Sequence, residues 1–181
     1  MTRLRHALYC FVPAIAILTG ASCTSNAPTT PTLSTPVLGF ETAPAACGGG
    51  PPATAASMNS NATVLANLIN GLRVKSGQPV LTPSAIDTGV GQWHANDMSA
   101  HSYIGLIGSD GEDVFRRITC SGGGGDAMAI AVGYSTDPNA VFAALQQDSG
   151  ARDLLVYTNF FFGSSFGIGY SNGYWMIVRN K

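Results

Sequence analysis

The sequence predicts an α+β domain, an α-β-α sandwich around a central antiparallel sheet, and three observations predict it. Apolar residues recur at three- and four-residue spacing through residues 59–101, the helical period. A short uncharged run at residues 127–134 reads as a buried strand. Near the C-terminus, two apolar segments flank Asn172-Gly173, a strong hairpin signal. Helices first and a sheet last call for layers of both kinds around one core.

The totals agree with a burial-driven fold. The chain has 181 residues, room for one domain plus processing segments. Charged residues make up 10% of it, well below the roughly 25% of ordinary soluble domains. The formal net charge is −1, so no basic surface argues for nucleic acid.

The N-terminus carries processing signals. Arg3 and Arg5 precede an uncharged apolar run at residues 7–18, and Gly20, Ala21 and Ser22 follow. A charged start, an apolar run of about 7–15 residues and a small-residue cleavage site make a secretory signal. Residues 1–22 are assigned to it. A membrane-spanning helix needs about 20 residues, so that reading is the weaker one. Cys23 just after the site resembles the acylated cysteine of a bacterial lipobox, although Gly20 stands where that pattern has leucine. Plain secretion is the alternative. Residues 23–57 are rich in Thr, Pro, Ser, Ala and Gly, with Glu41 as their one charge. They read as a disordered, lipid-anchored tether, which leaves residues 58–181 as the folded domain.

The 4 cysteines are Cys10, Cys23, Cys47 and Cys120. Cys10 leaves with the signal. Acylation of Cys23 then leaves Cys47 to pair with Cys120. Chain entropy alone would give such a cross-link about 4 kcal/mol. The alternative is a pair of buried free thiols. No C-x-x-C pair points to zinc.

Within the domain, residues 59–75 read as a helix whose apolar face is Val64, Leu65, Leu68, Ile69 and Leu72. Ser60 or Asn61 can cap its start, and Ser76-Gly77 ends it. Thr82-Pro83 opens a second helix as cap and first-turn proline, running to about His101. Gly89 and Gly91 weaken this helix, so tertiary packing must hold it. Gly108-Ser109-Asp110-Gly111 is turn chemistry, and Asp110 can cap a short helix over residues 112–118. The glycines of residues 122–125 form a flexible connection. Asp137-Pro138 starts a further capped helix carrying Val141, Phe142 and Leu145. Residues 154–162 read as strand-like, and residues 166–170 and 174–178 as the hairpin.

From about Asn61 to Val178 the motifs, taken in order, resemble the CAP superfamily of cysteine-rich secretory, antigen 5 and pathogenesis-related proteins, in its bacterial SCP-like form. Asn70-Gly71-Leu72-Arg73 is similar to the opening N-x-x-R helix. Gly77-Gln78-Pro79-Val80-Leu81 is similar to the approach to helix two, and Trp93-His94-Ala95-Asn96-Asp97-Met98 to that helix. Gly108-Ser109-Asp110-Gly111 with Arg117 matches the bacterial G-S-D-G…R segment. Gly133-Tyr134, Phe166-Gly167-Ile168-Gly169-Tyr170 and Tyr174-Trp175 match central and C-terminal strands. The resemblance implies a CAP-type α-β-α sandwich. It also implies a groove lined by two histidines and acidic residues, which in some members binds a divalent metal.

The matched groove positions are apolar in this chain. Leu106 stands at the histidine before the G-S-D-G segment, Met128 at the glutamate of the G-E-N strand, and Ala151 at the histidine before the retained Arg152. Such side chains offer no lone pair to a hard cation and no proton-transfer group. The expectation is a groove without the family's metal and without catalytic residues.

His94, Asp97 and His101, at i, i+3 and i+7, are the remaining polar cluster. On one helix side they could serve a metal-dependent hydrolase. A structural hydrogen-bonding role is the favoured reading, because His94 and Asp97 belong to the scaffold motif. Ser99 and Ser102 lack the glycine pattern of a nucleophile elbow. The leading expectation is therefore an exported, lipid-anchored, non-enzymatic CAP-like protein of the cell envelope. It would need no cofactor and would bind a lipid or other apolar molecule, or an envelope protein. A structural envelope protein with no small ligand is the third class.

Overall fold

A computed structural model describes residues 32–41, 47–48, 51–124, 126–156 and 163–180. The expected signal at residues 1–22 and the lipidation site Cys23 lie outside the described residues. Five strands form one sheet in the order β1-β3-β5-β4-β2. They are β1 (Val37–Glu41), β2 (Thr82–Pro83), β3 (Ala127–Val132), β4 (Ser165–Ser171) and β5 (Tyr174–Asn180). Helices α1 (Ser60–Lys75), α4 (Pro138–Gln147) and α5 (Ser149–Val156) pack on one face. Helices α2 (Ala85–His101) and α3 (Val114–Cys120) pack on the other.

Strand alternation divides the core between these faces. Met128, Ile130 and Val132 of β3 join Trp175 and Ile177 of β5 beneath α1, α4 and α5. Ala127, Ala129 and Ala131 face the opposite way, with Met176 and Val178, under α2 and α3. This is the period-2 pattern of a strand covered on both sides. The hairpin forms as the sequence predicts. Asn172 at φ 47° and Gly173 at φ 89° make the left-handed turn between β4 and β5.

The weak helix α2 is held by close packing on glycine. Gly167 and Gly169 of β4 lie against the backbone of Thr88 and Gly91, so helix and strand meet without intervening side chains. Gly89 sits likewise against the Thr54 carbonyl. The glycines that lower helix propensity are the ones that permit the contact.

Five expectations are corrected. The sheet is mixed, because β2 runs parallel to β4. Thr82 and Pro83 form that short strand, and Ser84 is the true cap of α2, accepting from the Asp87 amide. The helix after the G-S-D-G turn starts at Val114 and is capped by Asp113, while Asp110 accepts from the Glu112 amide within the turn. Residues 154–156 end α5 instead of starting a strand; the remainder of that run, residues 157–162, lies outside the described residues.

The fifth correction concerns the tether. Residues 37–41, placed by composition in a disordered segment, form the edge strand of the sheet, antiparallel to β3. Further along, Ala53 donates its amide to Ser121 Oγ at 2.9 Å, and Ala56 to the Ala85 carbonyl at 2.9 Å. Residues 32–41 and 51–57, ahead of the expected domain start at residue 58, are thus described with the sheet and helices. Backbone pairing, which composition does not report, orders residues 37–41 of this segment. Cys47 and Cys120 are disulfide-bonded with Cα atoms 5.0 Å apart, fastening it to the end of α3.

Candidate functional site

The three substituted positions gather around strand β1. Leu106 lies over Gly39: a Cβ at residue 39 would run into Leu106 Cδ1 and come within 3.1 Å of Phe115 Cζ. Met128 is the pairing partner of Phe40. Ala151 belongs to the buried cluster against which Leu38 packs, and a Cβ on its neighbour Gly150 would stand 2.7 Å from Leu38 Cδ1. The expectation of one groove lined by all three is corrected in this respect. Leu106 packs with the cluster on the α2–α3 face, and Met128 and Ala151 with the opposite one. The chain's own strand runs between them.

Beside β1 lies an apolar cavity of about 500 Å³, lined by Leu38, Gly39, Phe40, Gly150, Asp153 and Leu154. Phe40 is 63% exposed at its rim. A separate cavity of about 350 Å³ opens between α1 and the start of α2, with Asn67, Asn70, Ser84 and Thr88 among its walls. None of Leu106, Met128, Ala151, His94, Asp97 and His101 lines either cavity.

His94, Asp97 and His101 do share one side of α2, but each is engaged in holding the loop that follows or the helix itself. His94 is fully buried, and its Nε2–H donates to the Gly105 carbonyl at 2.8 Å. Burial pushes its imidazole below the ordinary histidine range, with the Gly105 contact and Asp97 opposing. Asp97 accepts from the Ser109 amide at 2.7 Å, from Ser109 Oγ at 2.5 Å and from the Tyr103 hydroxyl at 2.6 Å. Burial alone would raise its carboxyl, but these hydrogen bonds outweigh it and hold the group below the usual range. His101 Nδ1 turns back to the Asp97 carbonyl at 3.0 Å, with its side chain 56% exposed.

This donor set does not fit a divalent cation. The Asp97 oxygens are occupied by three donors, and His94 Nε2 points at a carbonyl. Among the described residues, no group of three His, Cys, Asp or Glu side chains could hold a metal. Ser99 accepts from the Asn172 amide group at 3.2 Å, and Ser102 is the left-handed cap of α2.

Arg117 completes the clamp, and the sequence revealed only its motif. Its buried guanidinium sits 3.4 Å over the Trp93 ring, pairs with Asp110 and donates to the Pro51 carbonyl at 3.0 Å. One side chain thus joins α2, the G-S-D-G turn and the segment leading from the disulfide. Planar stacking and a forked donor set favour arginine at such a junction.

Among solved structures, the chain is similar to an extracellular protein containing an SCP domain from Bacillus anthracis. The two are 18% identical with a TM-score of 0.63, covering 68% of this chain and 41% of that one. The fold is that of an SCP domain. The chain thus spans well under half the length of the Bacillus protein. It is also similar to an outer surface protein from Borrelia burgdorferi, at 15% identity and a TM-score of 0.59, covering 71% of this chain and 98% of that one. No family model and no curated protein matches the sequence.

Proposed function

We propose that this is an exported, lipid-anchored protein of the cell envelope, whose SCP-type domain binds an apolar ligand and performs no chemistry. Export is supported by the N-terminal signal pattern and by neighbours described as extracellular and outer surface proteins. Anchoring rests on Cys23 following that signal. Leu106, Met128 and Ala151 replace the groups that would carry metal or protons.

One observation carries the ligand reading: the apolar cavity of about 500 Å³ against Leu38, Phe40 and Leu154. Small-molecule sites are commonly apolar clefts of about 300–1,000 Å³. The test is solvent extraction of the purified full-length protein, followed by mass spectrometry. A stoichiometric lipid or other apolar molecule is expected, and its amount should fall in Leu154→Glu. An empty wild-type extract would turn the reading toward a structural envelope protein. Calorimetric zinc titration checks the hydrolase: saturable binding lost in His94→Ala would restore it. Loss of palmitate incorporation in Cys23→Ser tests the anchor.

A further inference from the structure

We infer that the outer edge of β3 is a strand-accepting site for an extended peptide, which β1 occupies in cis. The peptide's signature is a large apolar residue followed by glycine. This goes beyond the apolar-ligand reading, because it concerns the edge of β3 rather than the cavity beside it.

The seat has defined walls. Backbone pairing with β3 runs from Val37 opposite Ala131 to Glu41 opposite Ala127. It is extended by the Ser34 amide on the Gly133 carbonyl at 3.0 Å, and by the Gly133 amide on Ser34 Oγ at 2.8 Å. Leu106 and Phe115 close over position 39, so a side chain there would have to displace the Leu106 methyl and crowd the Phe115 ring. On the opposite face, Leu38 packs against the cluster that holds Met128 and Ala151. Main-chain bonds supply affinity in such strand additions, and pockets for alternate side chains supply specificity.

The occupant is lightly held. It is an edge strand of 5 residues, and Val37 and Phe40 remain 37% and 63% exposed. Elements with few buried apolar contacts open at the low end of the local stability range. What keeps β1 in place is its covalent connection. Cys47, six positions beyond Glu41, is fixed to Cys120, so β1 faces its seat at an effective concentration on the order of millimolar. A peptide in trans at micromolar concentration cannot compete until that connection is cut.

The experiment uses the full chain with a protease site placed between Glu41 and Cys47, folded and oxidised before cutting. A fluorescent peptide of the sequence Leu33 to Glu41 is added before and after cleavage, and anisotropy is read. The uncut protein should not take up the peptide. The cut protein should take it up saturably and release it to unlabelled peptide. A peptide carrying Gly39→Leu should bind at least about tenfold more weakly, a difference of about 1.4 kcal/mol. Equal binding of the two peptides would overturn the inference. So would a cut protein that keeps its circular dichroism spectrum yet takes up no peptide. Unfolding on cleavage would also overturn it, because β1 would then be a permanent member of the core. Lipid extraction reads a different outcome, so an empty cavity leaves this test standing.

Discussion

Gly39 lies directly beneath Leu106, and a Cβ added at Gly39 would push the Leu106 methyl aside. The resemblance places an imidazole where Leu106 stands, and an imidazole there would meet the edge of β1 and the ring of Phe115. Leu106→His is expected to destabilise the domain by about 1–3 kcal/mol, since a polar group enters an apolar contact without a partner. Urea unfolding of the full chain measures it. The variant should also gain no zinc affinity, because Met128 and Ala151 lie on the opposite face of the sheet and offer it no donor.

Asp97→Asn should cost about 2–4 kcal/mol. The carboxylate accepts three hydrogen bonds from Ser109 and Tyr103, and bonds to a charged acceptor are worth about 1.5–3 kcal/mol each before compensation. An amide keeps one acceptor and loses the charge. Thermal unfolding should show the loss. Amide exchange should quicken first at Ser109, whose backbone donor loses its strongest partner.

Stability should fall as pH drops below about 6.5, and His94 is the cause. Burial lowers its folded pKa, so the unfolded chain takes up the proton first. The contribution is therefore complete above the unfolded value and is lost as pH falls toward the folded one. Asp97, also lowered in the fold, adds a second loss below the ordinary carboxylate range. Asp87 works in the opposite sense. Burial raises its carboxyl against hydrogen bonds from Ser165 and Ser84, so its contribution is present at low pH and fades as pH rises through its folded value. Denaturant midpoints between pH 7 and 5 should decline in the wild type and flatten in His94→Gln, which keeps a donor for the Gly105 carbonyl. An unchanged slope in that variant would assign the decline to other groups.

The sequence made the regular elements legible where one local signal dominated. Asn172-Gly173 set the hairpin, and the apolar spacing of Leu65, Ile69 and Leu72 set the face of α1. It failed at β1 because composition outweighed pattern. Val37, Leu38 and Phe40 form an apolar island in a Pro- and Thr-rich stretch, and no local rule says that β3 has a free edge to receive it. At Leu106, Met128 and Ala151 the sequence showed only that the side chains are apolar. Their contacts with β1 were not legible, because these are tertiary contacts with a segment distant in sequence. Arg117 was visible only as a motif residue, since its partners Trp93 and Pro51 meet it through folding.

Two glycine-to-alanine substitutions in helices should act with opposite signs. Gly71 lies on the exposed side of α1, and a Cβ there would meet nothing within 4 Å. Alanine there should stabilise by about 1 kcal/mol, the propensity difference between the two residues. Gly91 lies in α2, where propensity favours alanine by the same amount. Its Cβ, however, would stand 2.9 Å from the Gly169 backbone nitrogen and 3.0 Å from the Met176 carbonyl oxygen. Both are backbone atoms inside the sheet and cannot turn aside as a flexible side chain could. The helix would have to lift from β4, and overpacking of this kind costs about 1–3 kcal/mol. Gly91→Ala should therefore destabilise despite its better propensity, while Gly71→Ala raises the melting temperature. Stabilisation by both would mean that the contact between α2 and β4 is looser than glycine-on-backbone packing requires.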